Sequence, residues 1–163
     1  MSKKPFVSKE KLDEIAAQYA TPFYLYDEAA IRETARRVNK AFAWNQGFKE
    51  YFAVKATPNP AILKILHEEG CGADCSSYTE LQMADAVGFK GDEIMFSSNA
   101  TPAEDFQLAR QLNVTINLDD ITHIDFLEKV ADIPDTVSCR YNPGGHFAIA
   151  TILWIIPVTP NMV

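Results

Sequence analysis

The sequence predicts an α/β protein built on a parallel sheet, and two features of the chain predict it. From position 51 onward, short apolar runs recur every 20 to 23 residues, with a helical pattern in each interval. Strands and helices that alternate in this way form βαβ units with right-handed crossovers, either in a doubly wound sheet or in a (β/α)8 barrel. Polar residues follow the strands at their carboxyl ends, which favours the barrel, because barrel enzymes carry their active sites on that rim.

Two helices are predicted ahead of the repeating part. Ser8 precedes KEKLDEIAAQYA, whose apolar residues form one stripe, as in a capped amphipathic helix. Pro22 ends this helix and is followed by the aromatic, β-favouring run FYLY. Asp27 then caps a second helix that extends to about Ala43.

The repeating part contains five predicted strands, at 51–54, 72–75, 94–97, 114–118 and 137–139. The predicted helices between them are 61–69, 78–87, 103–111 and 121–130. A complete barrel has eight strands and roughly 250 residues. We therefore expect a TIM-type (β/α)8 barrel truncated after about five strands.

This expectation divides the chain into a partial barrel domain, 1–149, with a lead-in at 1–48, and an atypical tail, 150–163. The tail is apolar, and no Asp, Glu, Lys or Arg follows Arg140. It is too short and too interrupted by proline for a membrane span, which needs about 20 apolar residues.

Composition and charge narrow the class of protein. The chain has 163 residues, of which 47% are hydrophobic and 23% charged, and its formal net charge is -7. An acidic chain lacks the basic surplus that nucleic-acid binding requires. Its first residues do not form a secretory signal, and its three cysteines fit no zinc spacing. We expect a cytoplasmic protein with reduced thiols, at least two of them buried, and with neither a metal site nor a membrane or nucleic-acid partner.

Lys55 is the most informative polar residue, because it ends the apolar strand EYFAV. A buried lysine is costly to keep charged, so it should lose its proton readily and become a nucleophile. The alternative is a surface lysine whose ammonium group reaches water. Asp74, Asn99, Asp119 and Arg140 follow the other strands, although Asp119 could equally be a helix cap.

Five segments resemble one family in the right order. They are the lead-in YATPFYLYDEAAIRE, then YFAVKATPNPAILKIL, GCGADCSSYTELQMADAVG, EIMFSSNATP and SCRYNPGGHF. Together they resemble the N-terminal part of the fold-type III pyridoxal-phosphate-dependent decarboxylases, of the diaminopimelate decarboxylase kind. The resemblance covers residues 8–149, approximately.

The resemblance implies a role for each matching residue. Lys55 would bond covalently to pyridoxal 5'-phosphate, and Asp74 would lie beside the cofactor and orient the lysine. Ser77 and Glu80 would support that wall of the site, and SYTE also fits a capping box at a helix start. The remaining implied residues are Asn99, which would line the pocket, and Arg140, which would brace acidic residues or the ring edge. His146 is expected to be a loop residue outside the site.

The resemblance also implies an activity, the decarboxylation of meso-diaminopimelate to L-lysine and carbon dioxide by a homodimer. Carboxynorspermidine or ornithine decarboxylases and alanine racemase are alternatives within the enzyme class. A non-catalytic pyridoxal-phosphate-binding homeostasis protein is the alternative of another class. Members of the family are much longer than this chain, so we expect a truncated form that is inactive by itself.

Overall fold

Five parallel strands form one sheet in the computed structural model, which describes residues 4–141. The strands are β1 (Tyr51–Ala53), β2 (Gly72–Cys75), β3 (Ile94–Phe96), β4 (Thr115–Leu118) and β5 (Ser138–Cys139). Each strand pairs in parallel with the next one along the chain. A doubly wound sheet would break this order at its switch point, so the sequential order is that of a barrel wall. The predicted loop at 142–145, His146 and the tail 150–163 lie outside the described residues.

Six α-helices accompany the strands. They are α1 (Lys9–Gln18), α2 (Glu28–Ala41), α3 (Pro60–Glu68), α4 (Tyr78–Val87), α5 (Ala103–Gln111) and α6 (Thr122–Ala131). Both predicted caps are present, since Ser8 accepts from Lys11 N–H at 3.2 Å and Asp27 accepts from Ala30 N–H at 3.1 Å. The aromatic run at 23–26 forms no strand. No helix in residues 4–141 combines the length and the apolar character that a membrane span requires.

The sheet has two different faces, because successive residues of a strand point to opposite sides. The face that the helices cover, called the helix face here, holds the core. Its strand residues are Ala73, Cys75, Ile94, Phe96, Ile116 and Leu118, all buried. The residues between them form the inner face. Its members are Tyr51, Ala53, Gly72, Asp74, Met95, Thr115, Asn117 and Ser138; most of them are partly exposed, Gly72 is buried, and several are polar.

The lead-in is attached to the barrel wall through α2. Arg32 of α2 pairs with Glu68 at 2.7 Å and with Glu69 at 3.0 Å, and Arg36 pairs with Glu69 at 2.6 Å. The side chain of Glu69 is only 8% exposed, and the two guanidinium groups lower its pKa. By contrast, α1 buries none of its residues within the described part of the chain. The amphipathic helix that the sequence predicts is therefore present, with its apolar stripe uncovered.

A close contact fixes the amino-terminal edge of the sheet. The Tyr51 side chain crosses strand β2 at Gly72, and its hydroxyl donates to the Asp92 carbonyl oxygen at 2.6 Å. A Cβ atom at position 72 would lie 2.5 Å from the Tyr51 ring and 2.7 Å from the Glu93 carbonyl oxygen. Only glycine leaves room for this crossing.

We predict that Gly72→Ala destabilises the chain by about 3 kcal/mol, because neither the ring nor the backbone oxygen can withdraw without shifting a strand. Gly70→Ala is the matched control. It faces open space at φ +82°, so it carries only the backbone penalty, about 1 kcal/mol. Urea unfolding curves measure both values. Equal losses for the two variants would contradict the steric argument.

Candidate active site

The five strands run in one direction, so their carboxyl ends lie along one edge of the sheet, and Lys55 occupies the start of this edge. Strand β1 ends at Ala53, and a 3-10 turn, Val54–Ala56, follows it. Val54 is fully buried, whereas Lys55 is exposed. Of the two alternatives for Lys55, a buried amine or a surface lysine, the described residues show the second, because the turn carries the lysine out of the core. No carboxylate among residues 4–141 forms an ion pair with its amine.

Asp74 lies on the neighbouring strand. It pairs in register with Ala53 on one side and with Met95 on the other, so it is on the inner face, one strand away from the chain that leads to Lys55. Its carboxylate is held by a side chain of the next strand end, since Ser97 Oγ donates to Asp74 Oδ1 at 2.5 Å. The backbone N–H of Ser97 donates to the Cys75 carbonyl oxygen at 2.8 Å, which fixes the position of the Ser97 backbone next to β2.

The far end of the same edge holds a second polar group. Arg140 Nη1 lies 2.7 Å from Asp119 Oδ1, and the Arg140 backbone N–H donates to the Leu118 carbonyl oxygen at 2.9 Å. This contact is an ion pair without the alignment of a hydrogen bond, because the same Asp119 oxygen accepts no aligned hydrogen bond from residues 4–141. Two residues earlier on the same two strands, Ser138 Oγ donates to Asn117 Oδ1 at 2.8 Å.

Asp119 and Asp120, which both precede α6, make different contacts. Asp120 accepts hydrogen bonds from the backbone N–H of Thr122 at 2.8 Å and from its hydroxyl, and these bonds lower the pKa of Asp120. Asp119 makes no such bond and faces Arg140 instead. Asp120 therefore binds the start of α6 from the residue before its N-cap, Ile121, and the cap interpretation does not hold for Asp119.

Ser77 and Glu80 form the start of α4. Ser77 Oγ accepts from the Glu80 N–H at 3.3 Å, as a helix cap does. The Glu80 carboxylate accepts from the Ser76 N–H at 2.9 Å, one residue before the position that a capping box uses. Both side chains serve the helix start, which in turn fixes the loop after Asp74. Asn99 is exposed in the loop after β3.

Sequence reasoning missed three residues of this edge, Ser97, Asn117 and Ser138. The signal was present, because each lies two residues before a predicted site residue and a strand returns to the same face every second residue. Ser97 precedes Asn99, and Asn117 precedes Asp119. Paired polar residues at this spacing indicate a polar inner face that reaches below the rim.

The side chains present fit the cofactor that the sequence resemblance implies. An exposed primary amine without an ion-pair partner, such as that of Lys55, can bond to an aldehyde. The Asp74 carboxylate, on the neighbouring strand, can balance positive charge. The Arg140 guanidinium is 50% exposed, so it can still bind an anion. The edge therefore combines a nucleophile with groups that orient charge.

Comparisons with known proteins agree with this arrangement. Residues 28–151 match the family described as "Pyridoxal-dependent decarboxylase, pyridoxal binding domain". Protein TabA of Pseudomonas amygdali pv. tabaci is 47% identical over 84% of this chain and 32% of its own length. The diaminopimelate decarboxylase of Methanothermobacter thermautotrophicus is 37% identical over 82% of this chain and 32% of its own length.

A solved structure shows the same fold. The diaminopimelate decarboxylase from Helicobacter pylori, complexed with L-lysine, superimposes with a TM-score of 0.63 at 32% identity. The superposition covers 73% of this chain and 30% of that one. The chain thus spans about a third of the length of the curated relatives it matches.

The cysteines offer a test of how well the helix face is covered, because Cys75 and, by its register with Leu118, Cys139 both lie on that face. Cys75 lies on the helix face behind Asp74, and burial raises the pKa of its thiol to about 12. Burial likewise raises the pKa of Cys71 to about 12, whereas Cys139, next to Arg140, is exposed. Since the thiolate is the reactive form, we predict that iodoacetamide at a pH of about 8 modifies only Cys139 in the folded chain.

Peptide mass spectrometry identifies the modified thiols, and the urea-unfolded chain, in which all three should react, is the control. Modification of Cys75 at the rate of Cys139 in the folded chain would show that β2 is not covered by its helices.

Proposed function

Because the chain belongs to the pyridoxal-dependent decarboxylase family, whose pyridoxal-binding domain it matches, we propose that Lys55 holds pyridoxal phosphate covalently. We propose further that the protein decarboxylates meso-diaminopimelate to L-lysine. The observation that carries the proposal is the position of Lys55. It is an exposed amine on the carboxyl edge of a barrel wall, one strand from a fixed carboxylate.

Each residue on the edge has a task that its contacts support. Lys55 Nζ would hold the cofactor aldehyde, and as a free amine it could accept or donate a proton. Asp74 supplies a negative charge on the neighbouring strand. Arg140, anchored by Asp119, presents a cation at the opposite end of the edge. Pyridoxal phosphate itself supplies the electron sink that accepts the electrons released when carbon dioxide leaves.

The choice of diaminopimelate depends on the relatives. Those named for a substrate include the Methanothermobacter enzyme at 37% identity and the Helicobacter structure at 32%. Protein TabA is more similar, and its name specifies no substrate. Ornithine- and carboxynorspermidine-type decarboxylation are therefore the competing outcomes of a substrate test. A homodimer and a cytoplasmic location remain predictions.

We predict that added pyridoxal phosphate, trapped with borohydride, modifies Lys55 in preference to the other lysines, because the edge of the sheet holds the cofactor next to this amine. Peptide mass spectrometry gives the site and yield of the adduct. Lys64→Arg, which removes an exposed lysine of α3, is the matched control and should leave the yield unchanged, whereas Lys55→Arg should abolish the specific adduct. Adducts spread evenly over the surface lysines would contradict the proposal.

We predict that meso-diaminopimelate lowers the yield of the Lys55 adduct at lower concentration than lysine or ornithine does, since the true substrate displaces the lysine from the cofactor. This competition measures binding and needs no turnover, which suits a chain that spans about a third of its relatives. Protection by ornithine at tenfold lower concentration would favour the ornithine-type reaction instead.

A further inference from the structure

We infer that Ser97 is a positioning residue for cofactor attachment, acting on Lys55 through the carboxylate of Asp74. The inference rests on the proposed function, because it names a residue of the same site. Ser97 was not among the residues that the sequence singled out, and its role follows from its contacts.

Ser97 makes a backbone hydrogen bond to Cys75 and a side-chain hydrogen bond to Asp74. Its backbone N–H is tied to the Cys75 carbonyl oxygen at 2.8 Å, so its Cα cannot move relative to β2. Its hydroxyl donates to Asp74 Oδ1. A hydrogen bond from a hydroxyl to a carboxylate is among the stronger ones in proteins and has a defined direction.

This hydrogen bond restrains the orientation of the Asp74 carboxylate. The residues that flank Asp74 in register are Ala53 and Met95, neither of which can hydrogen-bond to a carboxylate. Within residues 4–141, Asp74 has no ion-pair partner. Ser97 therefore occupies Oδ1 and restrains the carboxylate, which lies one strand away from the turn that carries Lys55.

A carboxylate that swings freely would be solvated by water on this partly exposed inner face and would act less on the amine. Loss of the Ser97 hydroxyl should thus weaken the attachment of the cofactor without unfolding the strand. Thr122 provides a matched control, because its hydroxyl makes the same kind of bond, to the Asp120 carboxylate at the start of α6.

The experiment measures the concentration of pyridoxal phosphate that half-saturates the Lys55 adduct in the full chain. We expect Ser97→Ala to raise it about tenfold. Ser97→Thr, which keeps the hydroxyl, should restore the wild-type value, and Thr122→Ala should leave it unchanged. In a chain that already carries Asp74→Asn, Ser97→Ala should add nothing, because Ser97 acts only through the carboxylate. Urea midpoints establish that the compared variants are folded.

The outcomes separate the two proposals. If the wild-type chain forms no specific Lys55 adduct, the proposed function fails and this inference fails with it. If the wild-type chain forms the adduct and Ser97→Ala matches it, the proposed function stands and Ser97 is not a positioning residue. An equal loss in Thr122→Ala, or a further loss from Ser97→Ala on top of Asp74→Asn, would assign the effect to general weakening of the fold and overturn the inference.

Discussion

The parallel, sequential register of the five strands is the constraint on which the site depends. Because every strand runs the same way, all carboxyl ends lie on one edge, and because side chains alternate, each strand sends one residue to the helices and the next to the inner face. Ala73 and Asp74 illustrate the result. The first is fully buried among the helices, and the second lies on the inner face in hydrogen-bond contact with the neighbouring strand end. Core and site are therefore specified by the same register, and a slip by one residue would exchange them.

Most of the fold follows from the sequence because it depends on local patterns. Periodicity placed five strands and six helices to within one or two residues of their ends, and Ser8 and Asp27 cap their helices as their residue types dictate. The choice between a buried and an exposed Lys55 could not be made in this way. It depends on β1 ending at Ala53 and on a tight turn at Val54, and nothing in the apolar run EYFAV marks where pairing with β2 stops.

The sequence predicts the site residues that follow the ends of the strands and misses those that lie within the strands or directly after them. Lys55, Asp74 and Arg140 stand out because polar residues directly after apolar runs are conspicuous. Ser97 and Asn117 fall inside the apolar runs that predict β3 and β4, so the pattern assigns them to strands and not to a site. Their partners lie more than 20 residues away along the chain, and only the register brings them together. Long-range pairing of short polar side chains is a property of the sheet, which composition and local spacing do not contain.

The two ends of the polar edge have a defined relation in the barrel that this family builds. Adjacent strands are about 4.8 Å apart, so in a flat sheet β1 and β5 would be separated by about 19 Å. In a closed eight-stranded barrel, the first and fifth strands lie opposite each other across a bore that is just wide enough for side chains or one small ligand. In this chain, Lys55 follows the first of the five strands and the Arg140–Asp119 pair follows the last two. An exposed ion pair contributes little to stability by itself, so the main effect of the Arg140–Asp119 contact is to hold the guanidinium at the carboxyl end of β5.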